Sequence, residues 1–267
     1  MKKQVLIVLL VCFCAIAYGQ SSGEFPVPLS DPAKRGRLKA HLNYGSITVR
    51  GTARKDVLVK YSSVNDNSES DKKSSKEGLK RISGGTMDLE VSENTNYVKV
   101  ESGSWNNKMD LEIEVPSGFD VKVSSYNDGD ILITDIQGEV EITTYNGEIA
   151  AENISGSVIA TTYNGEIKVT FDKVKEGVPM SYSTYNGDID ITFPSTLKAT
   201  FKMKTEQGEI LSGFDMNMIK SGPVQKKDSG SGTYKVVIDE WVKGEVNGGG
   251  PEISMRNYNG DVIIRKK

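Results

Sequence analysis

TTYNGEIAAENISGSVIATTYNGEIKVTF, residues 143–171, contains the same heptapeptide twice, at 143–149 and 161–167, and STYNGDI follows at 183–189. Aligned on the aromatic residue and the glycine, the pattern extends to LNYGSITV at 42–49, SSYNDGDILI at 124–133, a degenerate KTEQGEILS at 204–212 and RNYNGDVII at 256–264. Self-similarity at a period near twenty residues is the mark of a repeat architecture. A weaker motif lies between the strong ones, ITDIQGEVEI at 133–142 and AENISGSVIA at 151–160. Each repeat therefore reads as a strand, an Asn-Gly corner, a second strand and a looser glycine corner.

Alternation gives the strands their faces. Val140, Ile142 and Thr144 point one way, as do Ile149 and Ala151 after the corner; Val158, Ala160, Thr162, Ile167, Val169 and Phe171 repeat the phase. The other face carries Thr, Glu, Ser and Lys, as a half-buried strand requires. Two all-β architectures fit. Asn-Gly suits a type I′ hairpin, in which both central residues take positive φ, and would give an antiparallel meander or roll. The alternative is a single-stranded β-solenoid, right-handed β-helix-like, with coils of about twenty residues stacked ~4.8 Å apart. The close match in residue identity favours the solenoid, because like-on-like stacking rewards identical residues in neighbouring coils.

The flanks are of other kinds. Lys2 and Lys3 precede an apolar run from Val5 to Ala17, and Ala17-Tyr18-Gly19 supplies small residues for cleavage, the pattern of a secretory signal peptide over 1–19. Its removal takes both cysteines, Cys12 and Cys14, so no disulfide or thiol chemistry is expected in the mature chain. It also takes Lys2 and Lys3, which moves the formal charge from −3 to −5 and leaves no basic cluster for a nucleic acid. No later apolar stretch approaches the length of a membrane span. An exported protein of the periplasm or cell surface is expected, with residues 20–35 as a linker and 36–267 as one domain. Polar stretches at 62–80 and 221–232 read as mobile insertions, and the final YNGD repeat reads as the coil that closes the array.

LEIEVPSGFDVKV at 111–123, the iterated YNGEI corner with its G-E-V-E-I partner, and GGGPEISMRNYNGDVIIRK at 248–266 resemble a bacterial family of putative adhesins, common in the Bacteroidetes. The resemblance covers about residues 36–267. It implies a β-solenoid-like envelope protein of undetermined ligand and brings no catalytic residues with it.

If Thr144 is inward, Tyr145 is outward, and Tyr126, Tyr145, Tyr163, Tyr185 and Tyr258 form a surface column. That column is either an aromatic platform for a sugar chain or other extended polymer, or a ladder of rings that only shields the corner. Asn146, Asn164, Asn186 and Asn259 are expected to tolerate positive φ and to pass hydrogen bonds along the axis. The acids after the glycine, Glu148, Glu166, Asp188, Glu209 and Asp261, are expected to be solvated, and Glu148, Glu166 and Asp188 complete the tentative ligand-binding set. The double-glycine pattern of calcium-binding rolls is absent, and no cofactor or metal motif is present.

Three functions remain open at this point. The first is a noncatalytic adhesin or binding module for a glycan or envelope protein. The second is a structural or regulatory scaffold. The third is a polysaccharide-active enzyme built on Asp128, Asp130, Asp135 and Glu148. The single histidine, His41, reads as a surface or packing residue in a strand.

Overall fold

The computed structural model describes residues 20–64, 88–219, 224–227, 234–237 and 241–267. The predicted signal peptide and most of the two predicted insertions lie outside the described residues. The described residues form strands and turns, and the long-range pairing is mostly parallel and in register. Glu139–Thr143 pairs with 157–161, and 149–151 pairs with both 131–133 and 167–169. Equivalent positions of successive repeats therefore stack, and the chain is a β-solenoid with two walls rather than an antiparallel meander.

The coils do not stack in sequence order. Along the axis they run 97–116, 37–52, 120–134, 139–152, 157–174, 180–193, 252–266 and 199–212. The 252–266 coil, expected to close the array, is instead held between 180–193 and 199–212. At the other end the 37–52 coil is held between 97–116 and 120–134. In both places a proline turn carries the chain past the inserted coil: Phe119 N donates to Pro116 O, and Leu197 N to Pro194 O, each at 3.0 Å. The central residues of the reversals are Ser117-Gly118 and Ser195-Thr196, and the proline before each pair, lacking an N–H, ends the strand there.

Antiparallel strands finish the ends. Glu90–Asn94 pairs with Tyr97–Ser102, and Asp56–Val64 pairs with Lys108–Pro116. Residues 20–35 are not the linker they resemble, because Gln20–Pro28 pairs with Asp56–Val64 across the whole strand. At the far end Val242–Val246 adds an antiparallel strand to Ala199–Lys204, and Asn217–Ile219 adds one to Val242–Val246. Such capping leaves fewer free strand edges for other chains to join.

The interior follows the alternation. Val140, Ile142, Ile149, Ala151, Val158, Ala160, Ile167, Val169 and Phe171 are all buried. Each such aliphatic side chain contributes roughly 1.5–3 kcal/mol relative to exposure, alanine less. Phe171 stacks on Phe193 at 5.2 Å between centroids, so like residues also stack inside the core.

Candidate functional site

Each Tyr-Asn-Gly-acid corner is built by bonds to the coil before it. The inward threonine comes first: Thr144, Thr162 and Thr184 hydroxyls donate to the carbonyls of Gly129, Gly147 and Gly165 at 3.0–3.2 Å. Asn257 takes the threonine's place in its coil and donates to Gly187 O at 2.8 Å. The asparagines form a continuous amide ladder. Asn164 donates to Asn146, Asn186 to Asn164 and Asn259 to Asn186, each at 2.7 Å, with Asn146 to Asn127 at 3.4 Å. None of these asparagines takes positive φ, so the type I′ expectation fails for them. The amide ladder alone accounts for their recurrence. The glycines answer to close approach: a Cβ on Gly165 would lie 2.0 Å from Gly147 O.

Tyr126, Tyr145, Tyr163, Tyr185 and Tyr258 form one column, with centroids 5.0, 5.0, 4.9 and 4.6 Å apart and planes within 9° of parallel. Each is 39–42% exposed. The column follows spatial rather than chain order, since Tyr258 stacks on Tyr185 through the inserted coil. Because each ring covers its neighbour's face, the solvent meets ring edges and hydroxyls. A platform of open ring faces, the form expected for stacking on sugars, is not what the column offers. At one end Trp105 packs edge-on against Tyr126 at 5.2 Å. Tyr44 is not a member: it is in register with Asn127, one place along, and Lys108 lies 5.8 Å from its ring.

Burial raises the Tyr185 hydroxyl above the ordinary tyrosine pKa; the neighbouring Tyr258 and Tyr163 hydroxyls and a hydrogen bond with Tyr258 raise it further. Phenolates stacked this closely would repel one another.

The acids divide by length. Asp130, Asp188 and Asp261 accept the backbone N–H of the acid in the next coil, Glu148, Asp261 and Glu209 respectively, at 2.8–2.9 Å. Glu148 is exposed and Glu166 half-buried. The acids considered for catalysis are held separately. Asp135 bonds Asn153 at the opposite corner, Asp128 pairs with Lys108 at 3.5 Å, and Asp130 is held on the backbone of Glu148. Among the described residues, no group of three or more His, Cys, Asp or Glu could hold a metal ion.

Two features lay beyond sequence reasoning. Outward hydroxyls flank the ring column two residues earlier in each coil: Ser124, Thr143, Thr161 and Ser183 are in register, followed by Arg256. The threonines were legible as outward residues, but their alignment with Ser124 and Arg256 depended on the coil order. The second is a chain of bonds at the Trp105 end. Asn43 Nδ2 donates to Gly103 O, which turns Asn43 Oδ1 toward His41 Nε2 at 3.0 Å, and His41 Nδ1 meets Ser124 Oγ at 2.8 Å. With Nε2 as the donor to Asn43, Nδ1 accepts from the Ser124 hydroxyl. Beside it Glu101 receives Lys39 at 2.8 Å and Lys99 at 2.7 Å, and hydrogen bonds from both ammonium groups hold its carboxyl below the usual carboxylate range. Residues more than eighty positions apart meet here, and nothing local in the sequence announces it.

On the far side of the coils a cavity of about 450 Å³ opens between the 172–178, 194–199 and 249–253 segments, with Val174, Met180, Leu197 and Ile253 in its lining.

Over the middle coils, residues 120–240 match the model of the Toastrack family, DUF4097. No curated protein matches the chain in sequence. Beyond the Toastrack match, solved structures resemble it over 93% of its length. One is a putative cell adhesion protein from Clostridium sporogenes, 13% identical, all of that chain covered, TM-score 0.47. Another is a putative adhesin from Bacteroides fragilis, 10% identical, 97% of that chain covered, TM-score 0.32. A third is a putative adhesin from Parabacteroides merdae, 7% identical, 96% covered, TM-score 0.27. No helix among the described residues is long and apolar enough to cross a membrane.

Proposed function

We propose that this chain is an exported, noncatalytic binding module of the cell envelope that presents its tyrosine ridge to a glycan or protein partner. The observation that carries it is the column itself: five rings, each 39–42% exposed, stacked one per coil. Rigid side chains on a preorganised surface lose little entropy on binding. Tyr126, Tyr145, Tyr163, Tyr185 and Tyr258 would make the contacts, with Glu148, Glu166 and the outer edge of Asp188 along one border.

A scaffold role has its own support, since stacked rings and an amide ladder stabilise the coils whether or not anything binds. One pair of measurements separates the two. In pull-down and glycan-array assays, Tyr145→Ala/Tyr163→Ala is expected to lose binding that the intact chain shows. A folded double variant that binds undiminished, with only a lowered Tm, leaves the scaffold reading in its place.

A further inference from the structure

Three properties of the ridge narrow what it can bind. The first is its period. Ring centroids advance 4.6–5.0 Å per coil. An extended peptide advances ~3.3 Å per residue and a polyproline II helix ~3.1 Å, so successive residues of either fall out of step with the rings. The spacing is close to the advance of one pyranose in an extended β-1,4-linked chain.

The second is the chemistry on display. With ring faces closed by their neighbours, the ridge offers phenol hydroxyls. Beside them runs the second column of hydroxyls, Ser124, Thr143, Thr161 and Ser183, in the same register. Thr143, Thr161 and Ser183 can each donate and accept, while Ser124, whose proton goes to His41, can still accept, which suits a polyol. The third is charge. Glu148 and Glu166 border the ridge on its other side, so a polyuronate or other polyanion would meet like charge along the coils that carry them.

We propose that the ridge reads a neutral, extended β-linked polysaccharide laid along the solenoid axis, one sugar per coil, by hydrogen bonds to ring-edge hydroxyls and to the Ser/Thr column. This rests on the binding-module reading and makes it specific. It also assigns the inserted 252–266 coil a part in the site, because Tyr258 lengthens the column by one place.

The test uses the full chain and β-1,4-linked oligomers of glucose and of N-acetylglucosamine of increasing length, titrated calorimetrically. Affinity is expected to rise with each added sugar until the column is filled. Tyr145→Phe/Tyr163→Phe/Tyr185→Phe keeps the stacked rings and removes three hydroxyls. It is expected to weaken the longest oligomer about tenfold or more, since a net hydrogen bond is worth roughly 0.5–1.5 kcal/mol, without loss of Tm. Affinity that does not depend on length, or a triple Phe variant that binds undiminished, overturns the proposal. Ridge-dependent binding of an extended peptide instead overturns the glycan while the binding module stands. Absence of any ligand whose binding responds to Tyr145→Ala/Tyr163→Ala removes both.

Discussion

The two corners of each coil obey different rules. At the tyrosine corner the middle coils use the same few residues, and the threonine, tyrosine, asparagine and glycine each bond or pack against the coil before. At the opposite corner the chain is regular only at first: Gly156 lies against Gly138, which lies against Phe119. It then diverges into DKVKEGVP, PSTLK and VNGGGP, of unequal length, and the 450 Å³ cavity opens where these no longer match. Equal corner length is what allows a ladder. Where the Asn-Gly ladder exists, residue identity is held at each step by hydrogen bonds and by backbone contact; where it does not, loops are free to vary.

Glycine substitutions should break this contrast most sharply. At Gly165 a new Cβ would be 2.0 Å from the Gly147 carbonyl oxygen, and the obstacle is backbone. Gly165→Ala is therefore expected to cost at least ~3 kcal/mol, or to prevent folding, by denaturant unfolding. At Gly118, in the opposite corner, a Cβ would meet nothing within 4 Å and φ is not positive. Gly118→Ala is expected to be within about 0.5 kcal/mol of neutral, or slightly stabilising through the unfolded chain. Equal effects at the two sites would mean that the corners do not differ as described.

The amide ladder comes next in size. Asn164 donates to Asn146 and accepts from Asn186, both at 2.7 Å. Asn164→Ala removes both bonds and leaves a partner unpaired on each side, with an expected loss of about 2–3 kcal/mol. Asn153, at the opposite corner, makes one exposed side-chain bond to Asp135 at 3.1 Å. Asn153→Ala should cost about 1 kcal/mol or less by the same measurement, part of it from its left-handed backbone, φ 56°.

Much of the tyrosine corner could be read from the sequence because its determinants are local. Thr144 inward and Tyr145 outward follow from alternation around Val140 and Ile142, and the close spacing of identical motifs pointed to stacked coils. The reason for the asparagine was only half legible: the ladder was expected, but positive φ was not needed. What escaped was everything set by coil order. That Tyr258 stacks on Tyr185, that Tyr44 falls in register with Asn127, and that His41 meets Ser124 all depend on two coils being inserted out of sequence. Both insertions are prepared by short proline turns, Pro116–Phe119 and Pro194–Leu197, which look like ordinary corners until the pairing is known.

The smallest expected effect tests the ridge without mutation. Tyr185 has its hydroxyl pKa raised in the folded chain, by burial first and then by Tyr258 and Tyr163. A raised pKa means that the folded state holds the phenolic proton more tightly than the unfolded state does. The resulting stability is fully present below the ordinary tyrosine value of about 10 and is lost as pH rises through the higher folded value. Denaturant midpoints should therefore hold steady toward pH 10 and fall above it, while phenolate absorbance shows part of the tyrosine titrating late. In Tyr185→Phe the late fraction should shrink and the alkaline fall should flatten. If the alkaline fall in this variant matches that of the parent chain, the stacked phenols do not share their titration, and the loss of stability comes from lysines elsewhere on the coils.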